Sequence, residues 1–328
     1  MTRKEYRFPA TDGSAALYGI AYAPDAPKGY VQFVHDTCEH IGRYDAILRQ
    51  FCEAGYVAFG FSLPGHGASA QPGDRKPAAL RSASALLEDI HTMFLLVLKD
   101  FEPEIRRQIV YAGPHGGSPH EVARPTLRCI VGMGFGSALA KLYAIRYPDC
   151  NALILCADRG YAGGVRRQLK LCAQELRRLP ESAVSDRMDA CIGASYDALF
   201  EGTAKNRWRL ASTHALRRYQ QDEENAVQYD LASWRTVLQA ESAYRLRAWV
   251  ELLPKYMPVY FISGGDDAAN GRTADLAPVL NMMKMKNRVN TFYKFYSASR
   301  HDVLFDRKRD ETLTDMIFFV NQVQKQMC

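Results

Sequence analysis

What most constrains this chain is an alternation: short, almost wholly apolar runs recur along it, separated by longer stretches with helical spacing. The apolar runs are residues 17–22, 30–35, 56–61, 127–131, 152–156 and 258–263, with a further strand expected at 291–296. A run apolar on both sides cannot face water from either side, so it belongs in the middle of a parallel sheet with helices on both faces. Helices are expected near 40–54, 82–98, 135–146 and 310–324. The expected fold class is therefore α/β, with a mostly parallel central sheet.

Between 159 and 250 the strand-like runs stop and the composition turns to Arg, Leu, Gln and Ala. Leu169, Cys172 and Leu176 share one helical face there. The segment reads as a helical cap inserted into a core formed by 1–158 and 251–328; the plainer alternative is a helical excursion with no part in any site. A chain of 328 residues with 47% hydrophobic content can bury such a core. Residues 104–125, containing Pro114-His-Gly-Gly-Ser-Pro-His120, read as a long loop.

The formal charge of +6, from 42 basic and 36 acidic residues, contains no run of six like charges and gives no case for nucleic acid. The polar first residues and the lack of an 18-residue apolar stretch point to a soluble, cytoplasmic protein with no integral membrane segment. Eight scattered cysteines without a C-x-x-C pair indicate neither a metal site nor a disulfide framework, and no cofactor is expected. The sequence leaves homo-oligomerisation open.

Gly132-Met-Gly-Phe-Gly136 follows an apolar strand and opens a helix. That is the setting of a nucleophile elbow, Gly-x-Ser-x-Gly, whose central residue takes a positive φ so that its side chain enters the site. The same three glycines could form a phosphate-binding turn, but the last glycine of G-x-G-x-x-G is missing. The surroundings favour the elbow: His35-Asp-Thr-Cys-Glu-His-Ile-Gly-Arg-Tyr44, Leu63-Pro-Gly-His-Gly-Ala-Ser69, Ile262-Ser-Gly-Gly-Asp-Asp267 and Ser299-Arg-His-Asp302 follow in the order such a fold requires.

In these motifs the chain resembles the monoacylglycerol lipase and bacterial lysophospholipase group of the α/β-hydrolases, also described as serine aminopeptidase-like. Glu39-His40 with Arg43-Tyr44 is the most specific piece. The resemblance implies an α/β-hydrolase fold, carboxylic ester hydrolysis, an acyl ester or other apolar small molecule as ligand, and transient contact of the cap with a membrane surface. By position, Asp267 matches the acid of the triad and His301 its base, with Asp266 a competitor for the acid. The backbone N–H groups of Thr37 and Phe135 match the oxyanion donors, and His35 adjoins them.

Three positions depart from the pattern. Gly134 stands where the serine should be, Met133 where histidine is usual, and Asp36 where glycine follows the first histidine. Loss of the serine from such a triad costs on the order of a millionfold in turnover. A carboxylate at 36 would oppose the negative charge developing in the oxyanion hole unless its side chain turns away. The expectation is a nucleophile slot filled only by hydrogen; one further hypothesis is that this leaves room for a water where the hydroxyl would have been, within reach of His301 as base. Ser137 and Cys38 are weak surrogates, the first directed into helix packing and the second more often an inert small hydrophobe.

Three readings follow. The first is an inactive or very weakly active member that binds a ligand. The second is a working esterase in which the glycine is an introduced trapping substitution. The third is a non-enzymatic protein that meets a partner through its basic cap, using Arg207-Trp-Arg209 and Arg217-Arg-Tyr219. An Arg-rich helical face is also commonly just solvated.

Overall fold

The computed structural model describes residues 1–70, 80–111, 126–159, 163–243 and 246–327. Among the described residues eight strands form one sheet: β1 (Thr2–Pro9), β2 (Ala16–Ala23), β3 (Gly29–Val34), β4 (Val57–Phe61), β5 (Leu127–Met133), β6 (Ala152–Cys156), β7 (Val259–Gly264) and β8 (Thr291–Tyr296). Their order is β1-β2-β4-β3-β5-β6-β7-β8. β2 runs antiparallel to its neighbours β1 and β4, and the strands from β4 to β8 are mutually parallel.

The helices are α1 (Asp45–Glu53), α2 (Ala83–Tyr111), α3 (Phe135–Arg146), α4 (Gly163–Glu175), α5 (Asp186–Asp189), α6 (Ser195–Asp197), α7 (Thr213–Gln221), α8 (Leu231–Glu241), α9 (Leu246–Leu252), α10 (Ala277–Met285) and α11 (Arg309–Met327). Side chains of β3–β7 alternate between two buried layers. Val34, Phe59, Ile130 and Phe261 pack with Ile90 and Met93 of α2 and Leu139 of α3. Phe33, Cys129, Ile154 and Ile262 pack with Leu48 of α1 and Met316 and Val320 of α11. Each large apolar side chain so buried contributes about 1.5–3 kcal/mol, which is why the apolar runs decide the sheet.

Two differences from the sequence reading have physical causes. β1 is a half-buried edge strand with only Tyr6 and Phe8 directed inward, so its charged sequence carries no apolar run to notice. Residues 104–111, read as the start of a long loop, continue α2 beyond Pro103; the remainder of that loop, 112–125, lies outside the described residues. The chain between β6 and β7 forms α4 to α9. Among the described residues no helix is long and apolar enough to cross a membrane.

β3 has β4 on one side and β5 on the other, so the connections leaving its carboxyl end and that of β5 depart in opposite directions. Such a reversal opens a crevice at the carboxyl ends of the strands. The segments carrying the motifs follow β3, β5, β7 and β8, and so meet there.

Candidate functional site

Gly134 joins β5 to α3 with φ +52° and ψ −114°, a backbone conformation that a β-carbon disfavours. The flanking glycines are needed for closeness. A Cβ at Gly136 would lie 2.0 Å from the Val34 carbonyl oxygen, and one at Gly132 would lie 2.4 Å from that of Gly136. Gly134 N–H donates to Cys156 O at 2.9 Å and Ser137 N–H returns to Gly134 O at 3.0 Å, which fixes the bend.

Opposite the bend, the imidazole of His301 places Nδ1 3.0 Å from both carboxylate oxygens of Asp267. Asp266 is exposed, so the competition for that contact goes to its neighbour, which is fully buried. On the other side of the ring, Nε2 lies 3.1 Å from Oδ2 of Asp36. The expected vacancy beside Gly134 does not exist. A Cβ built on Gly134 would stand 2.2 Å from Cγ and Oδ1 of Asp36, so the aspartate carboxylate fills the space into which a side chain at 134 would project.

This corrects one expectation: the room beside Gly134 that a water could have used is taken. The Asp36 side chain turns toward the oxyanion donors, the orientation in which its carboxylate opposes a developing negative charge. Phe135 N–H donates to Asp36 Oδ1 at 2.7 Å. Thr37 contributes its carbonyl oxygen to Arg209, at 3.1 Å. His35 positions the aspartate: its Nε2 accepts from Leu63 N–H at 2.9 Å, and its Nδ1 then carries the hydrogen donated to the Asp36 carbonyl, at 2.7 Å. Burial holds this ring neutral, well below the usual histidine range.

Arg209, which the sequence reading offered as an exposed contact residue, is buried against the same carboxylate. Its NH2 donates to Asp36 Oδ2 at 2.7 Å and its Nε lies 3.1 Å from Asp302 Oδ1. Trp208 is buried too, its ring centroid 4.8 Å from that of His301. Arg43 bridges Glu39, at 3.0 Å, and Asp302, at 3.2 Å. The network thus ties four carboxylates, those of residues 36, 39, 267 and 302, to Arg43, Arg209 and His301. The motif residues Glu39 and Arg43 serve this network, whereas Arg209 sits in no motif and only its neighbour Trp208 hinted at a buried position.

Protonation follows from the contacts. Burial alone would lower the His301 pKa, but the carboxylates of Asp267 and Asp36 outweigh it and push it up to about 10. For Asp36, burial works toward the neutral acid; Arg209, His301 and the Phe135 N–H outweigh it and hold the carboxyl well below the usual range. At neutral pH the pair is imidazolium and carboxylate. An imidazolium has no lone pair with which to take a proton.

The surrogate nucleophiles are committed elsewhere. Ser137 Oγ lies 2.8 Å from the carbonyl oxygens of Gly132 and Cys156. Cys38 has its thiol pushed up to about 12 by burial. Met133 packs into the core layer with Ile262 and Leu304. The cavity over the site, walled by Asp36, Arg159, Trp208, Trp234, Glu241 and His301, offers about 20 Å³ to a water-sized sphere, room for about one water. Arg159 and Glu241 form a buried ion pair at 2.8 Å in its wall.

Residues 25–308 match the family described as serine aminopeptidase, S33. A monoacylglycerol lipase of Mycolicibacterium smegmatis is 28% identical over 193 residues, 58% of this chain; the aligned part spans 59% of that lipase. Among solved structures, a highly thermostable carboxyl esterase from Bacillus coagulans superposes with a TM-score of 0.84 at 22% identity over 99% of each chain. A soluble variant of the Saccharomyces cerevisiae monoglyceride lipase gives 0.71 at 11% identity, over 97% of this chain and 94% of that one. These two likenesses bear on the fold.

Proposed function

Because the chain belongs to the serine aminopeptidase S33 family of α/β-hydrolases, we propose that it is a lipase- or esterase-like member whose hydrolytic centre is shut, and that it binds an acyl or other apolar small molecule without turning over an ester. The observation that carries this reading is the Asp36 carboxylate standing in the space of the missing side chain, bonded to Phe135 N–H, His301 and Arg209. Three requirements of acyl transfer fail together. There is no hydroxyl at 134, one oxyanion donor is occupied, and His301 is protonated.

The reading in which the glycine is an introduced substitution fares poorly. A serine at 134 would collide with Asp36 as it now lies, so Gly134 and Asp36 fit as a pair. Asp36 itself is a poor substitute nucleophile, since its oxygens are held by three donors and the adjacent imidazolium cannot activate water to release an ester. A partner surface on the basic cap loses Trp208, Arg209 and Tyr219 to the interior, and retains the exposed Arg217 and Arg218.

On this reading Asp267 and His301 persist as the relic of a triad, now organising buried charge, and α4 to α9 act as a cap that must lift to admit an acyl chain. Transient contact of that cap with a membrane surface, and a cytoplasmic setting, belong to the same proposal. The test is ester hydrolysis by four proteins. Wild type and Gly134→Ser should be silent toward p-nitrophenyl esters and toward fluorophosphonate labelling; Asp36→Gly should be silent as well, and the double variant Asp36→Gly, Gly134→Ser should gain both. Turnover by the wild type at a rate ordinary for esterases, or activation by Gly134→Ser alone, overturns the proposal.

A further inference from the structure

Of the motif residues Glu39, His40, Arg43 and Tyr44, three join the buried charge network, Tyr44 through its hydroxyl on Glu39 at 2.7 Å. His40 meets the cap instead. Its Nε2 lies 2.9 Å from Oδ2 of Asp222 and its Nδ1 3.0 Å from Oε2 of Glu224, both in the turn that follows α7. A residue 182 positions away thus closes on the loop after β3.

Both halves of this contact are held in place. On the cap side, Asp222 Oδ1 accepts from Glu224 N–H at 3.1 Å, which leaves Oδ2 to the imidazole, and the Asn225 side-chain amide donates to Tyr219 O at 3.1 Å. On the core side, a Cβ at Gly42 would lie 2.9 Å from His40 Nδ1 and one at Gly67 would lie 2.5 Å from His40 Cβ, so two glycines keep room for the ring. The His40 side chain is 9% exposed, those of Asp222 and Glu224 33% and 52%.

The charges do not balance within the chain. Among the described residues, neither Asp222 nor Glu224 forms an ion pair with a lysine or arginine, and Glu223 between them adds a third acid. A neutral imidazole carries one hydrogen and can give it to only one carboxylate, so the other then faces a ring lone pair. With the ring neutral, the two contacting carboxylates leave a charge that a proton on the ring cancels by half and a divalent cation cancels in full. Exposed acids alone are common and hold no ion; here they close on a buried nitrogen, which favours a metal that accepts imidazole.

We propose that His40, Asp222 and Glu224 form a binding site for one divalent transition-metal ion of the zinc type, which clasps the cap to the loop that carries Asp36. The three ligand atoms lie within 4.8 Å of one another. Around a tetrahedral zinc with bonds of about 2.0–2.1 Å they would stand roughly 3.3 Å apart, so the half-exposed Glu224 side chain makes the adjustment and Asp222 is already in place. One imidazole nitrogen, two carboxylate oxygens and a water complete a set that zinc accepts. Magnesium and calcium prefer oxygen alone and are not expected to compete.

The measurement is isothermal titration of the full chain, stripped with a chelator, with zinc chloride at pH 7.5. The wild type should take up one ion per chain, and zinc should raise its Tm, because an ion that binds only the folded chain stabilises it. Asp222→Asn and Glu224→Gln change partly exposed side chains and should stay folded. Each should weaken binding by at least about tenfold, since even partners that merely orient a metal ligand are worth that much. Zinc should also slow backbone amide exchange in residues 37–42 and 222–227 together, the signature of a clasp rather than of an ion on a stray surface histidine. A wild type that takes up no zinc, variants that bind it as tightly as the wild type, magnesium chloride that binds equally well, or exchange unchanged in both segments would each overturn the proposal.

Discussion

At the scale of single residues, the protein turns on two positions 98 apart in sequence. Gly134 leaves a space and Asp36 fills it, so neither can be understood, or reversed, alone. Residues that share one space give strongly non-additive substitutions, which is why restoring serine is expected to do nothing until the aspartate is removed. The motifs pointed to the bend at Gly134, to Asp267 and to His301, which the fold brings together, because each sits in a short pattern with a fixed place in the chain. They did not identify the direction of the Asp36 side chain. That direction is set by Arg209 and Phe135 N–H, partners brought in from other parts of the fold, and no periodicity in the sequence records it.

At the scale of elements, Arg209 pins the stretch between α6 and α7 to the loops after β3 and β8. Besides its side-chain contacts, its carbonyl oxygen accepts from Asp302 N–H at 2.8 Å. Removing the guanidinium would leave Glu39 and Asp302 buried with Arg43 as their remaining arginine partner, and Asp36 buried with no arginine partner. Arg209→Ala is expected to destabilise the fold by about 3–5 kcal/mol, measured by urea unfolding, the usual cost of orphaning a buried charge. A loss below about 1 kcal/mol would mean that the network is hydrated and the pin weak. The core strands and α3 were legible because burial on both faces demands continuous apolar runs. The pin was not, since an Arg-rich segment looks the same in sequence whether its arginines meet water or buried carboxylates.

At the scale of the whole molecule, the buried charges tie stability to pH. The folded-state pKa of His301 lies above its unfolded value of about 6.5, so the folded chain holds a proton that the unfolded chain releases. Its contribution is complete below about pH 6.5 and is lost as pH rises toward about 10. Asp36 acts in the opposite sense: with its folded pKa depressed, it contributes fully above about pH 4 and loses that contribution as pH falls. Buried His35 and His66, whose folded pKa values are lowered, take stability away as pH falls below about 6.5, so thermal or urea unfolding should give greatest stability near about pH 6.5 and a decline through the alkaline range; replacing His301 with glutamine should flatten the alkaline decline. A wild-type stability that rises between pH 7 and 9 would contradict the assignment. The eight-stranded sheet beneath, legible from the apolar alternation except for its charged first strand, supplies the rigid frame that keeps these charges dry.

On the proposed function, the Asp36 carboxylate stands where a nucleophile should and keeps His301 as an imidazolium between two acids. Nitrogen-15 NMR of His301, followed from pH 6 to 11 and assigned with the His301→Gln variant, tests it most directly. Both ring nitrogens are expected to stay protonated through neutral pH and to titrate only near about pH 10. A ring that is neutral at pH 7.5, titrating near the ordinary histidine value, would contradict it.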